Sequence, residues 1–435
     1  MTITLADFDS IAENFTQFHT AFADCFGRKD LRRHCDHYTR ALIVQSQDRC
    51  NAENLSDVVP ASPRVLQRFI TESRWSDRDV IGRLQSVMAP RLQHPDAVWV
   101  VDESGFVKQG RKSAGVARQY CGTVGKVGNC QVGVFLAYVT PEARLLVDKE
   151  LVLPEAWCSD ADRCDEADIP ENERTHRTKP ELALAELRRA KAWGHLSASW
   201  VAGDDHYGQS PLFRRGLEQE GFRYVLDVPK TTTVWPAEVV WQTQPRGRMG
   251  RPPTAHPVPG QKRTAEGAAA ALPPDAWREL TIGQGAQGPR RYLFARERVR
   301  ETLDDRPGPQ AWLVLRRNLD GSEPRYYLSN GDIDESLEKL ARVGGARWRI
   351  ETEFEETKQH VGLDEYEVRS WPGWHHHMAL CLLANAFLLI VQQDMKKKLN
   401  TDDPSAGISY STRALTAQTL LKSRSNTMAP SNANP

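Results

Sequence analysis

A chain of 435 residues has room for two or three domains with a substantial core, and its 40% hydrophobic and 26% charged residues give it the composition of a folded protein. Its 57 basic and 57 acidic residues cancel, which excludes attraction of nucleic acid through overall charge and leaves that task to local patches. Such patches are present: RKDLRR at 28–33, KQGRK at 108–112, RGRMGR at 246–251 and RRY at 290–292.

The N-terminal stretch MTITLADFDSIAENF is acidic and lacks the basic-then-apolar order of a secretory signal, so an intracellular, cytoplasmic protein is expected. Residues 1–93 read as helices with short breaks: FDSIAENFTQFHTAFADCF, LRRHCDHYTRALIVQ, PRVLQRFITESRW and SDRDVIGRLQSVM. The last two suggest a helix-turn-helix-like pair with Ser76 as N-cap, a pattern common in any helical domain, so an all-α domain is expected here and DNA-end binding by it rests on the motifs that follow. His34, Cys35 and His37 lie close in sequence, but none of the eight cysteines falls in a Cys-x-x-Cys pair, so reduced thiols are expected rather than structural zinc.

From residue 97 the hydrophobic period changes. AVWVVD is apolar on both faces, as a central strand must be. NCQVGVFLAYVT and ARLLVDKELVLP read as a hairpin, TKPELALAELRRAKAWGHL as a helix, SWVAGD as a strand, SPLFRRGLEQEG as a capped helix and FRYVLDVPK as a further strand. Three strands, helix, strand, helix, strand is the order of an RNase-H-like α/β domain, whose first part is expected over 94–235. Between 236 and 332 that order fails. Residues 244–276 are rich in Pro, Gly, Arg and Ala and predict a loop, after which WRELTIG, RRYLFARERVR, AWLVLRRNL and PRYYLSNG predict short strands of a β-rich insertion. The helical run SLEKLARVGGARWRIETEFEETK opens the C-terminal helices of the catalytic domain over 333–399. Within them ALCLLANAFLLIV (379–391) is too short to span a bilayer and fits a buried helix. The polar stretch 400–435 is expected to be disordered.

The stretch RWRIETEFEETK at 347–358 sets four glutamates within six positions. Such a run is most often a solvated helix face held by pairs one turn apart. At about 100° per residue, however, Arg347, Glu351 and Lys358 fall within about 40° of one stripe, while Glu353 and Glu356 point elsewhere and Glu355 stays in reserve. A carboxylate bracketed by cations suits a site that holds a metal and a phosphate together. Two more carboxylates end buried strands: Asp102 closes AVWVVD and Asp204 closes SWVAGD, with Asp205 competing for the second place. A charge so placed is costly unless it is paired or binds a cation. Three hard oxygen donors suit Mg2+ or Mn2+, and two such ions can drive an in-line phosphoryl transfer.

In order along the chain, VVDESGF, ARQYCGTVGKVGNCQ, VAGDDHYG, FRYVLDVP and RWRIETEFEETKQHVGLDEYEVRSWPGW resemble the DDE transposases of bacterial insertion sequences, in the branch with a β-rich insertion before the glutamate. The resemblance implies an RNase-H-like catalytic domain in which Asp102, Asp204 and Glu351 are the catalytic, metal-holding acids, with Mg2+ or Mn2+ as cofactor. It also implies double-stranded DNA, element ends and target, as partner, a homodimer in the synaptic complex, and residence in the bacterial cytoplasm at the nucleoid. The related Tyr-Arg-Glu-Lys signature maps onto Arg347, Glu351 and Lys358, with Gly344 where the tyrosine stands. The basic patches add Lys108, Arg111, Lys112, Lys126, Arg248 and Arg251 as expected DNA contacts. Trp235, Trp241 and Trp312 are candidates for stacking on an extruded base, with buried core as the plainer role. His375, His376 and His377 lack carboxylates at ligand spacing and are expected on a helix surface or in the core. Two other functions compete: an RNase-H-like nuclease that hydrolyses without joining, and an inactive or domesticated DNA-binding protein that keeps the fold.

Overall fold

The computed structural model describes residues 5–45, 49–243, 255–285, 288–399, 416–417 and 419–420. Helices α1 (Leu5–Thr20) and α2 (Lys29–Val44) precede α3 (Ala52–Asp57), where the Asn51 side chain caps the Asn54 amide. Then come α4 (Pro63–Thr71), with proline in its first turn, and α5 (Asp77–Leu92), whose cap Ser76 accepts the Asp79 amide. Strands β1 (Val98–Val107), β2 (Ala117–Cys121), β3 (Lys126–Val139) and β4 (Arg144–Leu151) follow. Next are α6 (Lys179–Trp193), β5 (Trp200–Gly203), α7 (Pro211–Gln219), β6 (Arg223–Val228) and β7 (Thr233–Pro236). The long strands β8 (Arg278–Gly285), β9 (Gly288–Leu303), β10 (Arg306–Arg317) and β11 (Arg325–Ser329) lead into α8 (Leu337–Gly345), α9 (Trp348–Val361) and α10 (Trp371–Leu399).

The chain forms two compact units, one from residues 1–95, 102–197 and 349–435 and the other from 96–101 and 198–348. In the first, β3 pairs antiparallel with β2 and with β4, as the hairpin patterning predicts for the second pair. Its centre is α10, which packs against α1, α2, α4, α5 and β4. The apolar run is the middle of a longer helix than its own length suggests: Trp371–Lys397 would span a bilayer by length and composition, but 83% of its most apolar window is buried within the fold, as in a core helix.

The helices before Pro95 belong to this same unit. The second member of the expected helix-turn-helix pair, α5, buries Val80, Ile81, Leu84, Met88 and Leu92. Its polar side chains are committed as well: Asp77 to Lys149, Arg78 to Glu173 at 3.2 Å, and Arg91 to Asp394 at 2.7 Å. The side of α5 that stays exposed carries Arg78, Asp79, Pro90 and Arg91. His375, His376 and His377 are buried on α10, the core place expected of them, and α5 brings Asp77 Oδ2 within 3.5 Å of His375 Nδ1 from far away in sequence.

In the second unit the first half of β1 pairs parallel with β5, and β5 pairs parallel with β6. The strands expected as an insertion then extend the same sheet, since β11 pairs antiparallel with β6 and is followed by β10, β9 and β7, with β8 also on β9. The open edge of β6 is thereby satisfied by backbone hydrogen bonds instead of being left exposed. One face of these strands packs Val228, Ala295, Val299, Leu313, Leu315 and Leu328 against Ala265 and Ala268 of the short helix Ala265–Ala270.

The expected single helix through 336–358 is broken. α8 runs out at Gly344 and Gly345, and Ala346 and Arg347 form a turn before α9. Two adjacent glycines cost the helix about 1 kcal/mol each relative to alanine, enough to place the break there.

Candidate active site

The register of β1 on β5 sets Val101 beside Gly203, and an aspartate follows each. Asp102 is half-buried and its Oδ1 accepts the Glu103 amide at 2.8 Å. Asp204 caps the helical turn Asp205–Gly208, its Oδ1 accepting the amides of His206 at 3.0 Å and Tyr207 at 3.4 Å. Backbone donors fix the Asp204 carboxylate, whereas Asp205 points outward and is exposed. The geometry therefore favours Asp204 over its neighbour. His206 is exposed and Tyr207 is buried.

The turn after Asp204 is pressed tightly onto β6. A Cβ at Gly208 would come 1.9 Å from the Asp227 carbonyl oxygen. The Gly208 amide donates to the Asp204 carbonyl at 2.9 Å and the Gly208 carbonyl accepts from Arg214. Arg214 is in turn buried with Glu301 at 2.8 Å, and Glu301 Oε1 accepts the Tyr224 hydroxyl at 2.9 Å. This network ties the turn that carries Asp204 to β6 and β9.

Asp227 was not anticipated as a site residue. On β6, Leu226 lies opposite Gly203, so Asp227 follows Leu226 as Asp204 follows Gly203. It is buried, 3.5 Å from Arg347 Nε. Burial pushes its carboxyl up to about 7, Asp204 adds to the rise, and Arg347, Arg325 and Arg316 oppose it. The signal was in the sequence: FRYVLDVP carries an aspartate near the end of its strand, as SWVAGD does, whereas β1 runs on past Asp102 to Val107, so the acid expected at its end stands mid-strand.

Of the four glutamates on α9, Glu351 and Glu355 are exposed and the other two are structural. Glu353 is buried, 3.3 Å from Arg144, and accepts from Asn385 Nδ2 at 2.6 Å, while Glu356 also pairs with Arg144. Burial raises Glu353 to about 7. Helical phase thus separated buried Glu353 and half-buried Glu356 from exposed Glu351 and Glu355, but Arg347 lies before the helix and is not set on Glu351's stripe by phase. Lys358 does sit on α9, its Nζ 3.4 Å from Thr123 Oγ1. At Gly344, where the signature has tyrosine, an added Cβ would press on Val225 Cγ1 at 3.1 Å and approach the Tyr327 ring to 3.4 Å. Glycine lets α8 come this close to the sheet, and Tyr327 supplies the ring beside it.

The remaining basic candidates are spread over the surface. Lys108 donates to the Tyr366 carbonyl at 2.9 Å and lies 3.4 Å from that ring's centre, and burial lowers its ammonium to about 8. Arg111 and Lys126 are exposed, and Lys112, also exposed, is 3.7 Å from Glu166. Arg248 and Arg251 lie outside the described residues. Trp235 and Trp312 are buried, whereas Trp241 is 53% exposed and so is not core. Carboxylates are the right donors for a hard divalent ion, but among the described residues no group of three or more His, Cys, Asp or Glu is placed to hold one.

A family model described as DDE superfamily endonuclease matches residues 21–289, more than half of the chain. The chain belongs to the DDE superfamily endonuclease family. The matched stretch of this DDE endonuclease includes Asp102 and Asp204 and stops before Glu351. A curated relative, the probable transposase for insertion sequence element IS701 of Microchaete diplosiphon, is 26% identical over 164 residues, which is 38% of this chain and 40% of that protein. Among solved structures, a piggyBac transposase synaptic complex with hairpin DNA aligns over 98% of this chain and 82% of its own, at 12% identity and a TM-score of 0.44.

Proposed function

We propose that this DDE endonuclease is a transposase with an RNase-H-like catalytic domain, of the insertion-sequence branch with a Tyr-Arg-Glu-Lys-type signature. It binds the terminal inverted repeats of its element as double-stranded DNA, cuts at the ends and joins the 3′-hydroxyls to target DNA. It acts as a homodimer in the synaptic complex, at the nucleoid of a bacterial cytoplasm. The observation that carries the reading is the parallel register of β1 on β5, which brings together the residues just before Asp102 and Asp204, in a chain of this family.

Asp102, Asp204 and Glu351 are the catalytic acids that would hold the divalent ion. Asp204 is oriented by the two amides of its own turn, and Glu351 stands exposed in the first turn of α9. Arg347 and Lys358 take phosphate oxygens, a role suited to fixed cations near a scissile bond. Cleavage of a phosphodiester by carboxylates calls for Mg2+ or Mn2+, which would polarise the phosphate and activate the attacking oxygen.

The test is cleavage and strand transfer with the element's own ends. The expected outcome is nicking and joining in Mg2+ or Mn2+, none in EDTA, and none for Asp102→Ala, Asp204→Ala or Glu351→Ala with end binding retained. Cutting in EDTA, or full activity in any of the three variants, would overturn the reading. Cutting without joining from a pre-cut end would leave a nuclease instead.

A further inference from the structure

On the sheet of the second unit, Arg316 of β10 lies directly opposite Arg325 of β11, and Val314 lies opposite Tyr327. Tyr327 in turn lies opposite Asp227 of β6. Directly opposed residues share a face, so one row runs from Asp227 through Tyr327 to the two arginines. The other face of these strands is the packed core of Leu313, Leu315, Tyr326 and Leu328.

Two like charges set directly opposite each other destabilise a sheet unless something negative lies between them. On the neighbouring strand β9, Arg296 donates to the Glu335 carbonyl, Arg298 donates to the Gly331 carbonyl at 3.3 Å, and both lie over Trp312. Arg316 and Arg325 have no such carbonyl partner among the described residues. Among the described residues neither forms an ion pair or donates a hydrogen bond, and Arg316 Nε is buried without a partner. The Arg316 guanidinium carbon lies over Tyr292, 4.3 Å from the ring centre. The acid that faces the pair is Asp227, which is itself engaged by Arg347 at 3.5 Å.

We propose that Arg316 and Arg325 form a seat for a backbone phosphate of the DNA strand presented to Asp204. The proposal rests on the transposase reading and adds to it a contact from β10 and β11 that no motif of the sequence marks. A guanidinium pair binds a phosphate through several charge-assisted hydrogen bonds and would turn a mutual repulsion into a shared attraction. Asp227 and Arg347 border the seat on the side of β6, so the phosphate lies in line with the acid-bearing strand ends of this unit.

The test measures binding of the full chain to a duplex of the element end across a salt series, for the wild type, Arg316→Gln, Arg325→Gln and the double variant. Each arginine lost should reduce the slope of log affinity on log salt by about 0.9. Between 50 and 200 mM salt the wild type should therefore lose about twelvefold more affinity than the double variant. Neutral methylphosphonate placed at successive positions of the duplex should weaken the wild type at one phosphate and leave the double variant indifferent there. Without DNA, the double variant should melt at the wild-type temperature or above it, since a repulsion has been removed. An unchanged salt slope, or a fall in melting temperature without DNA, would overturn the seat while leaving the transposase reading intact. A wild type that binds no DNA would remove that reading, and the seat with it. Equal loss of wild-type binding to inorganic phosphate at matched ionic strength would reassign the arginines to free phosphate.

Discussion

Gly208→Ala tests how rigidly the fold sets Asp204. The added Cβ would sit 1.9 Å from the Asp227 carbonyl oxygen, whereas real Cβ contacts essentially never fall under 3.0 Å, so turn and strand must part by about 1.1 Å. Backbone, not a flexible side chain, is in the way. The turn cannot slide independently, since the Gly208 amide is bonded to the Asp204 carbonyl and the Gly208 carbonyl to Arg214. Overpacking of this kind costs about 1–3 kcal/mol, or roughly 2–12 °C of melting temperature for a unit of this size. Displacing a reacting group by about 1 Å costs about a hundredfold in rate. The assay is thermal unfolding beside single-turnover cleavage of an element end in Mg2+, with Gly27→Ala as control, since a Cβ at Gly27 meets nothing within 4 Å. Wild-type melting together with wild-type cleavage in Gly208→Ala would refute the claim that this contact positions the acid.

Glu301→Gln should cost about 3–5 kcal/mol in urea unfolding, because it leaves the Arg214 guanidinium buried without its counter-charge; a loss under about 1 kcal/mol would show the pair to be dispensable. Asp227 should shape the pH profile: the unfolded carboxyl ionises near about 3.9 while the folded one keeps its proton to about 7. The folded chain thus binds the extra proton between those values, and stability from this group falls as pH rises through that window and levels off above it. Asp227→Asn should remove that fall, which urea midpoints at pH 5 and pH 8 will show; the same pH slope in both proteins would contradict the assignment. On α9, Glu353→Ala should destabilise by about 1–3 kcal/mol by stripping Asn385 and Arg144 of a buried partner, while Glu351→Ala should melt like wild type and lose cleavage. The reverse pattern would exchange their roles.

Local features were legible in the residues alone. An apolar run closed by an acid marked β5, an apolar run on both faces marked the first half of β1, turn and cap residues marked helix ends, and a period of 3.6 separated buried Glu353 and half-buried Glu356 from exposed Glu351 and Glu355. Those signals are carried by residues within a turn or a strand of each other, so they survive reading without a fold. What joins distant segments was decided by tertiary structure. That the strands after 236 would extend the sheet through β6, that α5 would be spent on packing α10 and β4, and that α8 and α9 would part at Arg347 all depend on which surfaces meet. Asp227 shows the boundary: its strand-end pattern was as visible as that of Asp204, but only the register that sets Leu226 opposite Gly203 and the burial that holds its proton give it a place in the site. The opposed pair Arg316 and Arg325 had no local signature at all, because a cross-strand neighbour is fixed by register between segments, and register is set by the packed face beneath them.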